Sequence, residues 1–247
     1  MVQDARAPDG LRHICGGSIL DEYWILTAAH CTDQHSPTNM VIIAGAANIR
    51  RQTPQRQIVQ VAQFVIHGKY VSYQNRKSKQ QINYEQVDVA LLKLKTPVKL
   101  TKKVAWPTLL LKPDPKLTKG GMEAKVFGWG RTGRDPKKSP DLRYTTIDLY
   151  SEASCHSIYG RAFAQNILCG GRAENGPCPA DSGGPLVLTV KVGGKKHWPQ
   201  IGIVSRGSST CVQNGKSAAY MNAARFCGWV QKQTGIPDLC KDLAELR

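Results

Sequence analysis

The stretch Ala180-Asp181-Ser182-Gly183-Gly184-Pro185-Leu186 sets a serine among glycines ahead of an apolar run, an arrangement that can hold a hydroxyl exposed for nucleophilic attack. A serine hydroxyl is a weak nucleophile until a base takes its proton. Leu26-Thr27-Ala28-Ala29-His30-Cys31 offers an imidazole for that task. Val87-Asp88-Val89-Ala90-Leu91-Leu92 offers a carboxylate at the head of an apolar run, where it could orient the ring. Each residue alone has an ordinary structural use, as a core histidine, a strand-end acid or a turn serine. Together they could supply an activated nucleophile.

Such residues need a rigid frame, and the chain reads as strands and turns almost to its end. Ile58–Ile66, Val89–Leu94, Ala124–Trp129, Leu186–Val192 and Ile201–Ser205 are short, rich in β-branched residues and bounded by Gly, Pro, Asn and Lys clusters. Helical pattern comes late, in Ala223–Thr234 and Asp238–Leu246. With 247 residues, 41% of them hydrophobic, the chain can bury a sizeable core. No apolar run approaches the roughly 20 residues of a membrane-spanning helix, and the opening Met1-Val2-Gln3-Asp4-Ala5-Arg6 is not a signal peptide. Internal repeats, low-complexity tracts and N-glycosylation sequons are absent.

These segments, with Cys15-Gly16-Gly17-Ser18, Phe127-Gly128-Trp129-Gly130, Gly202-Ile203-Val204-Ser205 and the chain order His, Asp, Ser, resemble the chymotrypsin-family (trypsin-like) serine proteases from Ile14 to Val230. The resemblance implies an all-β fold of two six-stranded antiparallel β-barrels with a C-terminal helix. Residues 1–111 would form the first barrel with His30 and Asp88, 112–120 a linker around Lys112-Pro113-Asp114-Pro115-Lys116, 121–222 the second barrel with Ser182, and 223–247 a helical tail. His30 would act as base and Asp88 as its orienting partner, while the amides of Ala180 and Ser182 would hold the oxyanion. The specificity pocket would have Gly176 at its floor, six residues before Ser182. Trypsin-like members carry aspartate there. Its surroundings would be Pro177, Ser205, Arg206, Gly207 and Ala218, which suits an apolar or aromatic side chain before the cut. No cofactor or metal is implied, because Asn48-Ile49-Arg50-Arg51-Gln52, the place of a calcium loop in some members, has no carboxylate.

The resemblance pairs Cys15 with Cys31, Cys155 with Cys169 and Cys178 with Cys211. Cys227 and Cys240 remain, 13 residues apart. On one helix they would be about 20 Å apart, whereas a disulfide needs Cα atoms within about 7 Å. A break at Gly235-Ile236-Pro237 would let Asp238–Arg247 fold back as a second short helix; two unpaired thiols are the alternative. Eight cysteines point to an oxidising compartment, hence secretion to the extracellular space or a secretory granule.

Four features depart from the family pattern. Its mature enzymes begin upstream with Ile-Val-Gly-Gly or a close variant, whose amine pairs with the aspartate before the nucleophile, but only 14 residues precede Cys15 here. Asp181 would therefore lack that cation. His13 would take its place within hydrogen-bond reach, as in family proenzymes, and the imidazole would become more basic. Second, Ala180 replaces a glycine. Third, Arg206 stands where a tryptophan usually lines the groove. Last, Val71–Glu85 lengthens the connection from His67 and Tyr70 to Asp88, and carries Arg76, Lys77 and Lys79.

The net charge of +16 favours polyanions, and residues 67–103 hold nine basic against two acidic side chains. A heparin-like polyanion is the expected partner, beside protein or peptide substrates and protein protease inhibitors. Nucleic acid is disfavoured for want of an aromatic-interleaved motif, no membrane contact is expected, and a monomer is. A solvated basic surface is the plainer alternative. Two functions stay open: a secreted serine endopeptidase, supported by the retained triad, and a catalytically impaired homologue that binds a polyanion or protein, supported by Ala180 and Arg206.

Overall fold

A computed structural model describes residues 1–5, 10–71, 87–101, 104, 110–114, 119–132, 137–172, 176–207, 211 and 217–246. Its frame is two mainly antiparallel sheets. The first runs through β1 (Val2–Asp4), β2 (Arg12–Cys15), β3 (Ser18–Ile19), β4 (Trp24–Thr27), β5 (Met40–Ala44), β6 (Gln57–Ile66) and β7 (Ala90–Leu94). Its spatial order is β2-β1-β5-β6-β7-β4-β3. The end strands β2 and β3 are separated in sequence only by Gly16–Gly17, so the sheet curls into a half-barrel around Leu26, Met40, Ile42, Leu91 and Leu92.

The second sheet is built from β8 (Leu110–Leu111), β9 (Glu123–Gly128), β10 (Arg143–Leu149), β11 (Ile167–Gly171), β12 (Pro185–Leu188), then, beyond a small hairpin of β13 (Val190–Val192) and β14 (Lys195–His197), β15 (Gln200–Arg206), β16 (Ala218–Asn222) and β17 (Cys240–Lys241). Six of them, β12-β9-β10-β11-β16-β15, close on themselves through the β12–β15 pairing of Pro185 with Ile203 and Leu186 with Gly202. Period-2 alternation is clear where one face is wet. In β9 Ala124 and Val126 are buried between exposed Glu123 and half-buried Lys125, and in β10 Ile147 and Leu149 turn inward. Gly202 lets the closure pack tightly, since a Cβ there would come within 3.0 Å of the Leu186 side chain and 3.1 Å of the Tyr220 Cβ. The expected all-β, trypsin-like architecture is thus present as one closed barrel and one half-barrel.

The last helix matches the expected Ala223–Thr234. Asn222 caps it by accepting from the Ala224 amide, and Gly235 ends it with φ 71°. Phe226, Cys227 and Val230 form its buried stripe. The second tail helix expected over Asp238–Leu246 does not form. Cys240 and Lys241 instead pair in parallel with Leu110 and Leu111, followed by a single 3-10 turn at Leu243–Glu245. Docking on β8 satisfies backbone groups that a short isolated helix would leave at its ends, and Leu239 and Leu246 bury beside it. The chain does fold back as the cysteines require: Cys227 and Cys240 are bonded with Cα atoms 5.9 Å apart. Two helices were not anticipated, α1 (Glu152–Tyr159) and α2 (Arg161–Ala164), divided by Gly160 at φ 78°. The signal for α1 was Ser151, whose side chain accepts from the Ser154 amide.

Candidate active site

His30 and Asp88 meet because two paired strands end together. Thr27 at the end of β4 is opposite Ala90 at the start of β7. The chain beyond Thr27 tightens into a 3-10 turn, Ala29–Thr32, which presents His30, while Asp88 immediately precedes β7. Cys31 is tied to Cys15 on β2, with Cα atoms 6.2 Å apart. Asp88 is 4% exposed and fully occupied: Oδ1 accepts the His30 amide at 2.8 Å, and Oδ2 accepts His30 Nδ1 at 2.8 Å and the Ser205 hydroxyl at 2.6 Å. Burial alone would make His30 less basic, but the Asp88 charge and hydrogen bond outweigh it and raise the imidazole above its ordinary value. Burial pushes the Asp88 carboxyl up, and His30 with the donors around it brings the balance below the usual carboxylate range. With Nδ1 donating to Asp88, Nε2 is the acceptor.

Ser182 lies on a turn held between the two sheets. Its carbonyl accepts from Gly16 N at 2.7 Å, and Gly183 N donates to Val204 O at 2.7 Å. A Cβ on Gly16 would come within 2.7 Å of Gly184 Cα, so the β2–β3 crossing can reach this turn only as glycine. Gly183 packs on Thr27 and Ala28, just ahead of His30. The structure shows no hydrogen bond from Ser182 Oγ to His30 Nε2, which stands 3.9 Å from Cys31 Sγ. Hydrogen bonds of this type commonly tighten only when substrate is bound. Cys15, His30 and Cys31 lie within ligand distance of one another, but both sulfurs are spent in the disulfide.

Asp181 does not pair with His13. Its carboxylate accepts Gly130 N at 2.7 Å and Cys178 N at 2.9 Å, in a space left open because residues 128 and 130 have no Cβ. Burial raises its pKa, with the two amides opposing. His13, 4% exposed, sits by the carbonyls of Val2 and Ala180 without a full hydrogen bond from either ring nitrogen. Burial first, then the amino-terminal charge and Lys138, push it down to about 3. The expected cation is therefore a neutral ring, and the carboxylate has found backbone donors instead.

Ala180 adopts φ 79°, the left-handed region that costs a residue with a Cβ about 1–2 kcal/mol. Among the described residues, neither its amide nor that of Ser182 donates to a protein acceptor. Replacing Ala180 with glycine should relieve this strain, offset by about 0.5–1 kcal/mol of extra chain entropy, and raise the thermal midpoint by about 1–4 °C. A midpoint that falls would show the conformation to be unstrained.

Two of the six residues grouped as a pocket, Gly176 and Pro177, share one cleft of ≈ 240 Å³ together with Asp181, the Cys178–Cys211 bridge and, unforeseen, Arg131, Arg143 and Tyr144. Ser205 is engaged with Asp88, Ala218 is fully buried in β16, and the Arg206 guanidinium lies 4.6 Å over the Phe163 ring. Gly207 stands against Pro177, whose carbonyl is 3.0 Å from where a Cβ would be. Cys155 and Cys169 are bonded across α1 and β11, with Cα atoms 5.7 Å apart. Arg76, Lys77 and Lys79 fall outside the described residues.

The sequence profile of the family described as Trypsin matches residues 2–230, nearly the whole chain. The chain belongs to the trypsin family of serine proteases. It is 30% identical over 223 residues to anionic trypsin of Bos taurus, covering 89% of this chain and 79% of that protein. Among solved structures it is similar to neuropsin, a serine protease expressed in the limbic system of mouse brain, at 26% identity and a TM-score of 0.73, covering 94% of this chain and 93% of that one. Disulfide bonding, secretion and zymogen forms are typical of trypsin-family proteins.

Proposed function

We propose that this trypsin-family chain is a secreted serine endopeptidase that cuts through an acyl-enzyme at Ser182. The observation that carries the reading is the buried Asp88 carboxylate, which accepts His30 Nδ1 at 2.8 Å and leaves Nε2 free to take a proton. In this mechanism Ser182 Oγ attacks the peptide carbonyl as His30 Nε2 takes its proton. The amides of Ala180 and Ser182 stabilise the oxyanion, and His30 returns the proton to the leaving amine. Asp88 fixes the tautomer and stabilises the imidazolium. Four disulfides suit an oxidising compartment, and among the described residues no helix is long and apolar enough to cross a membrane.

Specificity for Leu, Phe or Met before the cut follows from Gly176, which offers a basic side chain no carboxylate, and from the cost of burying a charge without a partner. A peptide-library digest should show these residues favoured over Lys and Arg; a profile dominated by Lys or Arg overturns this assignment. The impaired-homologue reading draws on Ala180, strained at φ 79°, and on Arg206, whose guanidinium lies over the Phe163 ring where the family usually carries a tryptophan. It expects no hydrolysis of any peptide in that library.

A further inference from the structure

We propose that the groove bounded by β2, the β5–β6 connection and the β9–β10 connection binds the sulfate groups of an acidic polysaccharide. The groove has a volume of ≈ 450 Å³, within the range of ligand sites. Arg12 reaches it from β2, Arg50 and Arg56 from between β5 and β6, and Lys137 and Lys138 from between β9 and β10. No carboxylate lines it among the described residues. Arg12 is anchored from below by Asp4 at 3.2 Å, with its side chain 61% exposed. The Lys138 ammonium donates to the His13 carbonyl. Arg56 Nε is buried without a hydrogen-bond partner among the described residues, an uncompensated donor in the wall of the groove. Burial, then crowding by Arg12 and Arg131, makes the Lys138 ammonium easier to deprotonate, a repulsion that a bound anion would relieve.

The shape selects among anions. Among the described residues no aromatic ring lines the groove except buried His13, so nucleobases find no stacking platform there. An acidic peptide adding to the edge of β2 would need the His13 carbonyl, which Lys138 already caps. Tetrahedral sulfates accept well from guanidinium forks and ammonium groups, and the sugar faces can lie on Leu11 and Ile49. These cations are not those of residues 67–103, and the inference is independent of the catalytic reading.

The test titrates the full chain with a size-defined heparin oligosaccharide over a range of salt. Arg50→Gln with Lys137→Gln, both exposed side chains, should weaken binding at least about tenfold and lower the slope of log K against log salt by about two. A second pair, Arg12→Gln with Lys138→Gln, should do the same. Lys191→Gln with Lys195→Gln, exposed on the β13–β14 hairpin, removes equal charge and should change affinity less than about twofold. Equal weakening by the hairpin pair, or tighter binding of single-stranded DNA or polyglutamate than of the heparin oligosaccharide, would overturn the assignment.

Discussion

Replacing Ser182 with alanine is expected to lower kcat by about 10⁶ while leaving the thermal midpoint near that of the parent chain. The turn that holds residue 182 is built from backbone, with the carbonyl accepting from Gly16 and its neighbours bonded to Val204 and Asp181. No side-chain hydrogen bond of Ser182 contributes to that framework, so removal of Oγ takes away the nucleophile and little else. Single-turnover kinetics on a peptide from the library, beside a thermal melt, checks both halves. A loss of less than tenfold would place the reacting group elsewhere.

Asp88→Asn is expected to cost about 10⁴ in kcat. The amide keeps the size of the carboxylate but can accept at only one end, whereas Asp88 accepts from His30 N, His30 Nδ1 and Ser205 Oγ together. An amide NH₂ facing Nδ1 forces the other tautomer, which puts a hydrogen on Nε2 where an acceptor is needed. A second readout separates this from a structural lesion. His30 must be neutral to act as base, and Asp88 holds its pKa above the ordinary value. Removing that charge lowers the pKa, so the acid limb of the residual kcat/KM profile should move to lower pH. An unmoved limb would mean that Asp88 does not set the charge state of His30.

The three candidate residues were legible because each sits in a local pattern: glycines around Ser182, an apolar run ending near His30, another beginning after Asp88. The meeting of His30 with Asp88 depends on the Thr27–Ala90 register, which the two apolar runs suggest and only the sheet fixes. Four of the five expected strands were legible for the same reason, while Leu186–Val192 breaks at Thr189 into β12 and β13 of different sheets; the final helix was legible too, its stripe lying between Asn222 and Gly235. Local periodicity failed where a distant partner decided the outcome. Cys240 and Lys241 became a strand because β8 was there to pair with. Asp181 turned to the amides of Gly130 and Cys178 rather than to His13 because glycines at 128 and 130 leave room for its carboxylate. The cationic groove was illegible, since residues 12, 50, 56, 137 and 138 converge only after folding.

Intact-mass analysis after exposure to an organophosphonate tests the central claim most directly, because such a probe reacts with a serine only when a base activates it. The expected result is a single adduct on the parent chain that maps to Ser182 and is absent from the Ser182→Ala variant. No adduct on the parent chain, or one that survives the substitution, would contradict the assignment of Ser182 as nucleophile.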